Sequence, residues 1–182
     1  MSAVRDLVDE TASALGWSGS VTPRVGWEEV ERRLRTPLPA DYKRFMARFP
    51  SGLLRDVLRI FNLVQSRTSL TRVVQDFEPA REVVGRHRDE FDSYPPFPEP
   101  GGVVPFADDT AGGLLGWLPW TPDPDRWHVV RLSGNPVAGW TRTRRSMTAV
   151  VRELATSRSD RNVLGWDLAA RDRVFEPFDG YA

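Results

Sequence analysis

The chain has 182 residues, 40% hydrophobic and 27% charged, with 25 basic side chains, 25 acidic ones and no cysteine. That length suits one domain burying about two-thirds of its unfolded surface. A net charge of zero argues against sequence-independent nucleic-acid binding and against anionic membrane surfaces, both of which need surplus cations, and the lack of cysteine removes disulfides and thiolate metal sites.

Val4, Leu7, Val8, Ala12 and Leu15 predict a first amphipathic helix, stopped by Gly16. The same stretch carries Asp6, Asp9 and Glu10 and lacks the apolar core of a secretory leader. No run approaches the roughly 18 apolar residues of a membrane span, so a cytoplasmic protein is expected. A turn-rich connector (Ser18, Gly19, Ser20, Pro23, Gly26) leads to a second helix, in which Trp27, Val30 and Leu34 share one face. Pro37 bars its continuation. Pro39 suits the first turn of a third helix, where Asp41 complements the dipole. Tyr42, Phe45, Met46 and Phe49 form that helix's apolar stripe, and Pro50 and Gly52 end it.

Val57-Leu58-Arg59-Ile60-Phe61 reads as a strand, with a helix as the alternative. Leu70, Val73, Val74 and Phe77 carry a helical period that resumes at Val83, Val84, His87 and Phe91, with Pro79 interrupting it. Tyr94 to Gly102, with four prolines and two glycines, is a loop. Beyond it the chain reads as four strands: Val103–Ala107, Leu114–Leu118, Trp127–Leu132 and Val137–Thr141. Their short connections (Asp108 to Gly113, Pro122 to Asp125, Ser133 to Pro136) imply an antiparallel meander. A last helix follows from Met147, Val150, Val151 and Leu154, N-capped by Ser146. The tail from Asn162 has scattered apolar residues and is expected to pack back on the body. The expected fold is thus α+β: N-terminal helices packed on a mainly antiparallel sheet, a C-terminal helix, and a single domain.

Catalytic chemistry is not evident. The sequence has no phosphate-cradling glycine loop, no nucleophile elbow and no dinucleotide fingerprint. His87 and His128 lack neighbouring metal ligands and read as structural or surface residues. Asp108 and Asp109, with Asp123 and Asp125, are the acidic groups to weigh for cation binding or acid–base work. They lack calcium-loop spacing, and aspartate is an ordinary turn residue. Arg142, Arg144 and Arg145 read as a solvated surface rather than a phosphate site. Trp117, Trp120, Trp127 and Trp140 cluster in the expected sheet and read as core, with Trp120, beside prolines in a loop, the exception.

Four segments carry a resemblance: the Trp27-Glu28-Glu29-Val30…Leu38-Pro39-Ala40-Asp41-Tyr42-Lys43 helix pair, the entry Pro98 to Ala107, the segment Asp123 to Val130, and the closing Met147 to Leu154. Taken in order they resemble the SUKH superfamily, which includes yeast Smi/Knr-type cell-wall synthesis regulators and many bacterial proteins. The resemblance covers residues 27 to about 155, leaving 1–26 as an N-terminal helix and connector and 156–182 as a packed tail. It implies a non-enzymatic protein-binding module without cofactor or metal, and in bacteria a cytosolic immunity protein neutralising a cognate toxin, often a nuclease. A regulatory interaction protein without a toxin is the alternative. The partner-binding residues expected on the loops are Asp108, Asp109, Trp120, Asp123 and Asp125, whose carboxylates would suit a basic partner. One position departs from the family pattern: Gly113 stands where an aspartate is expected. In a denaturant titration Trp27→Ala is expected to cost about 3–5 kcal/mol if the ring is buried and under about 1 kcal/mol if it lies at the surface.

Overall fold

The apolar stripes decide which surfaces meet. The computed structural model describes residues 6–68, 71, 82, 84–85, 93–135 and 138–178. Three helices, α1 (Leu7–Ala14), α2 (Trp27–Leu34) and α3 (Ala40–Arg48), precede β1 (Gly52–Leu54), β2 (Leu58–Ile60), β3 (Val104–Asp109), β4 (Leu114–Leu118), β5 (His128–Leu132) and β6 (Trp140–Thr143). Helix α4 (Met147–Thr156) and β7 (Phe175–Pro177) complete the described elements. The seven strands form one sheet in the order β6-β5-β4-β3-β2-β1-β7, every neighbouring pair antiparallel. The class is α+β, as the periodicity predicts.

Each helix end has an identifiable cause. The Asp6 carboxylate accepts the Val8 N–H at 2.9 Å to start α1. Gly16, at φ +61°, ends it, and the Trp17 N–H turns back to the Ala12 carbonyl at 2.8 Å. The α2–α3 hinge is closed by Glu31, which accepts the Leu38 N–H at 2.8 Å and pairs with Lys43 at 2.7 Å. Pro39 lies one position earlier than expected, at the N-cap of α3. Asp41 lies in the first turn of α3, as expected, and also accepts the Thr148 N–H at 2.9 Å in the first turn of α4. Ser146 caps α4 as its sequence position predicts.

The core is built on aromatic contacts. Tyr42 is buried between the Trp27 and Trp117 rings, meeting both edge-on at 5.6 and 5.0 Å. Its hydroxyl donates to the Phe61 carbonyl at 3.0 Å, and burial pushes its pKa well above the ordinary phenol value. Phe45 stacks on Phe49 at 4.4 Å, and Phe49 meets both Trp17 and Phe175. Trp27 itself is only half-buried, with Lys43 over its ring at 5.8 Å. The cost of Trp27→Ala is accordingly lowered to about 2 kcal/mol.

The sheet differs from expectation in three places. Gly52, read as a terminator, opens β1. A Cβ there would lie 2.5 Å from the Phe175 ring and 2.6 Å from the Glu176 carbonyl, so only glycine lets β7 dock beside it. Strand β3 runs on through Asp108 and Asp109, which sequence placed in the turn. A register shift between Pro105 and Ala107 accommodates a proline, which has no N–H to donate, in an inner strand. Strand β6 starts at Trp140, later than expected, and Val137 lies outside the described residues. So does most of the helix expected between residues 70 and 91, including His87. Val84 is described and is buried against Leu114 and Leu132, with Trp140 beside it, on the face of the sheet opposite the helices. The main core draws on Val8, Ala12 and Leu15 from the N-terminal segment and on Val163, Leu164, Leu168 and Phe175 from the tail. The tail thus packs back as expected and also supplies an edge strand.

Arg55 fastens that tail. It is 2% exposed and adopts a left-handed φ of 49°. Its Nε donates to the Asp172 carbonyl at 3.2 Å, Nη1 to Leu154 and Ser157 at 2.8 Å each, and Nη2 to Leu168 and Arg171 at 2.6 and 2.7 Å. All five donors of the guanidinium are therefore used, and every acceptor is a backbone carbonyl. The Leu154 and Ser157 carbonyls lie at the end of α4, where the helix dipole favours a cation. Burial, with smaller contributions from Arg173 and Arg171, lowers its pKa below the ordinary arginine value. Arg55→Ala is expected to cost about 3–5 kcal/mol in urea titration. Arg55→Lys, with three donors and no planar fork, should recover less than half of that. Amide exchange should accelerate in residues 158–178 and not in α2.

Candidate functional site

The five loop residues singled out by sequence lie at opposite ends of β4. Asp108 pairs in register with Leu114 at its start, and Trp120 follows Leu118 at its end, about 13 Å away along the strand. The carboxylates of the two loops therefore share no rim. Among the described residues no group of three or more His, Asp or Glu side chains could hold a metal ion.

Asp109 was expected on a partner-binding loop, but its side chain has 0% exposure. One carboxylate oxygen accepts the Ala111 and Gly113 N–H groups at 3.0 and 2.6 Å, and the other takes Arg131 Nη2 at 2.9 Å and Nε at 3.3 Å. It holds the β3–β4 turn together and is unavailable to a partner. The same contact explains the glycine at 113. A Cβ there would sit 2.2 Å from the Asp109 carboxylate and 2.8 Å from the Leu132 carbonyl, so the space of a side chain at 113 is filled by the one at 109. Asp108 is half-buried and bound to the Arg59 guanidinium across the β2–β3 ladder.

The other acidic pair also has structural work. Asp125 accepts the Ala40 N–H at 2.6 Å, capping α3 from 85 residues away. Asp123 accepts the Asp125 N–H at 3.1 Å and starts the 3₁₀ turn Pro124–Arg126. Its side chain lies in an exposed loop. Neither residue is brought to Asp108.

Trp120 is different. It is 51% exposed, while Trp117 and Trp127 are buried and Trp140 is half-buried. Its Nε1 donates to the Arg126 carbonyl at 2.9 Å, and the Arg126 guanidinium lies 5.3 Å from the ring centroid. On the same side the His128 ring lies 5.3 Å away. Sequence reads His128 and the arginines of β6 as unremarkable. The register aligns Leu118 with His128 and Val130 with Arg142, so by the two-residue period Arg142 and His128 share a face, and Arg144, in the bend just past β6, acts on the same imidazole. Neither Arg142 nor Arg144 has an ion-pair partner among the described residues. The sequence signal that could have found this group is the i, i+2 spacing of the two arginines, but their strand partner needed the register.

No family model, no curated protein and no solved structure matches this chain. Fold and site by themselves define the class: an α+β protein with α1–α4 on one face of a seven-stranded antiparallel sheet, carrying an exposed aromatic–cationic corner at one end of it.

The electrostatics of the corner can be read at His128. Desolvation first, then Arg142 and Arg144, lower its pKa below the ordinary 6.5. The folded state therefore binds this proton less readily than the unfolded chain. The resulting loss of stability is absent well above pH 6.5, grows as pH falls from 6.5 towards the lowered folded value, and is complete below it. An NMR titration should place the His128 midpoint below 6.5, and replacing both arginines by glutamine should raise it.

Proposed function

We propose that this protein is a non-enzymatic protein-binding module, and specifically a cytoplasmic immunity protein that neutralises a cognate toxin domain. The ordered SUKH-like segments support the class. The single observation that carries the site is Trp120, a half-exposed indole held in place by Arg126 through a hydrogen bond and a guanidinium–ring contact. A large aromatic already immobilised before binding loses little entropy on docking, which is how interface anchors gain affinity.

The charge of the partner follows from what remains unpaired. Asp109 is buried, Asp108 is bound to Arg59 and Asp125 caps a helix. Beside Trp120, Arg126, Arg142 and Arg144 have no ion-pair partner among the described residues, against Asp123 and Asp125 in the adjoining loop, whose carboxylates accept backbone N–H groups. The toxin surface that meets this corner is thus expected to be acidic, whichever reaction the toxin performs, in place of the basic surface that the sequence suggests.

Co-expression with a candidate toxin encoded by a neighbouring gene tests the reading. Growth should be restored by the wild-type protein, with a stoichiometric complex on co-purification. Trp120→Ala should weaken that complex at least tenfold, about 1.4 kcal/mol, without shifting the melting temperature. A toxin that stays lethal overturns the immunity reading for that pair, and one that binds Trp120→Ala unchanged removes the anchor.

A further inference from the structure

We propose that the outer edge of β6 takes up an extended acidic segment of a protein partner as an eighth strand of the sheet. The proposal rests on the protein-binding reading above and names where and how the partner docks. Strand β6 ends the sheet, with β5 its only strand neighbour among the described residues. The Ser133 N–H donates to the Gly139 carbonyl at 3.0 Å, which makes 133 and 139 a hydrogen-bonded pair. Alternation along the ladder then makes Arg131–Thr141 and Val129–Thr143 the next such pairs. The N–H and C=O groups of Trp140 and Arg142 consequently point away from β5. No described residue bonds to them. They offer two donors and two acceptors repeating about every 6.8 Å, the spacing of an extended peptide.

The two edges of the sheet are not equivalent. Strand β7 has three residues and ends in Pro177, which has no N–H to offer. Strand β6 has no proline, and its cations choose the occupant. A second copy paired on β6 would bring arginines of like charge opposite one another, which is unfavourable. A strand carrying glutamate or aspartate at alternate positions would instead meet Arg142 and Arg144, with Trp120 and Arg126 on the same face. A phosphodiester chain would find the charge but not the alternating backbone partners.

The test uses the full-length ¹⁵N-labelled protein and a capped nine-residue peptide of alternating valine and glutamate. Binding should slow exchange of the Arg142 amide at least tenfold, and Arg142→Glu with Arg144→Glu should weaken affinity at least tenfold. Arg142→Pro, which also removes the outward N–H at a position where an edge strand tolerates proline, should weaken it more than Arg142→Ala. N-methylation of alternate peptide amides should abolish it. The proposal is overturned if millimolar peptide leaves the Trp140 and Arg142 amides unperturbed, or if a valine–lysine peptide binds equally well. It also fails if an RNA oligonucleotide displaces the peptide at the same amides, or if sedimentation shows a dimer broken by Arg142→Pro. A toxin bound equally by wild type and by the charge-reversed variant would overturn this docking mode and leave the protein-binding reading standing. Peptide uptake without toxin neutralisation would do the reverse.

Discussion

A single buried cation ties the carboxyl-terminal quarter of the chain to the rest. Arg55 has no carboxylate among its hydrogen-bond partners. It is solvated by five backbone carbonyls, drawn from the end of α4 and from the turns that lead to β7. Burying a charge is tolerable only when its lost hydration is replaced, and five oriented dipoles replace it donor for donor. The consequences spread outward. Strand β7 is brought beside Gly52, where the Phe175 ring fills the space a side chain would need. Phe175 joins Trp17 and Phe49 in one aromatic cluster. The amino-terminal helix, the third helix and the tail are thereby locked to one another.

Buried polar contacts recur wherever the chain changes direction. The Asn62 side-chain amide donates to the Met46 and Phe49 carbonyls at the end of α3 at 2.7 and 2.8 Å. Asp41 holds the start of α4, Asp125 the start of α3, and Asp109 the turn before β4. In each case a short polar side chain satisfies backbone groups that the regular elements leave unpaired. This division of labour has a functional consequence. Most acidic residues that looked free in the sequence are committed to holding the frame. The corner around Trp120 is left with a cationic character that the zero net charge of the chain does not reveal.

Much of the fold is legible in the sequence. The stripes of α2, α3 and α4, the limits of β4 and the cap at Ser146 follow from spacing and from single residues, and the structure places them there. The three-residue strands β1 and β7 are not legible, because so short a run carries no alternation. Each exists through its neighbour across the sheet. The site is less legible than the fold. Trp120 stood out because prolines beside it argued against a core position. Asp109 misled for a physical reason. An aspartate before a glycine-rich turn has the same local sequence whether its carboxylate faces water or folds back onto Arg131, and the deciding partner is 22 residues away.

By itself, then, the sequence determined the helical faces, the run of strands and the α+β class. These depend on periodicities of two and 3.6 residues and on caps within one turn, all of them local. Only the tertiary structure decided which charges remain available. The partners of Arg55 lie 99 to 117 residues along the chain, and that of Asp125 lies 85. Whether a polar side chain is consumed by the frame or offered to a partner depends on what the fold brings within 3 Å of it, and sequence spacing does not encode that distance.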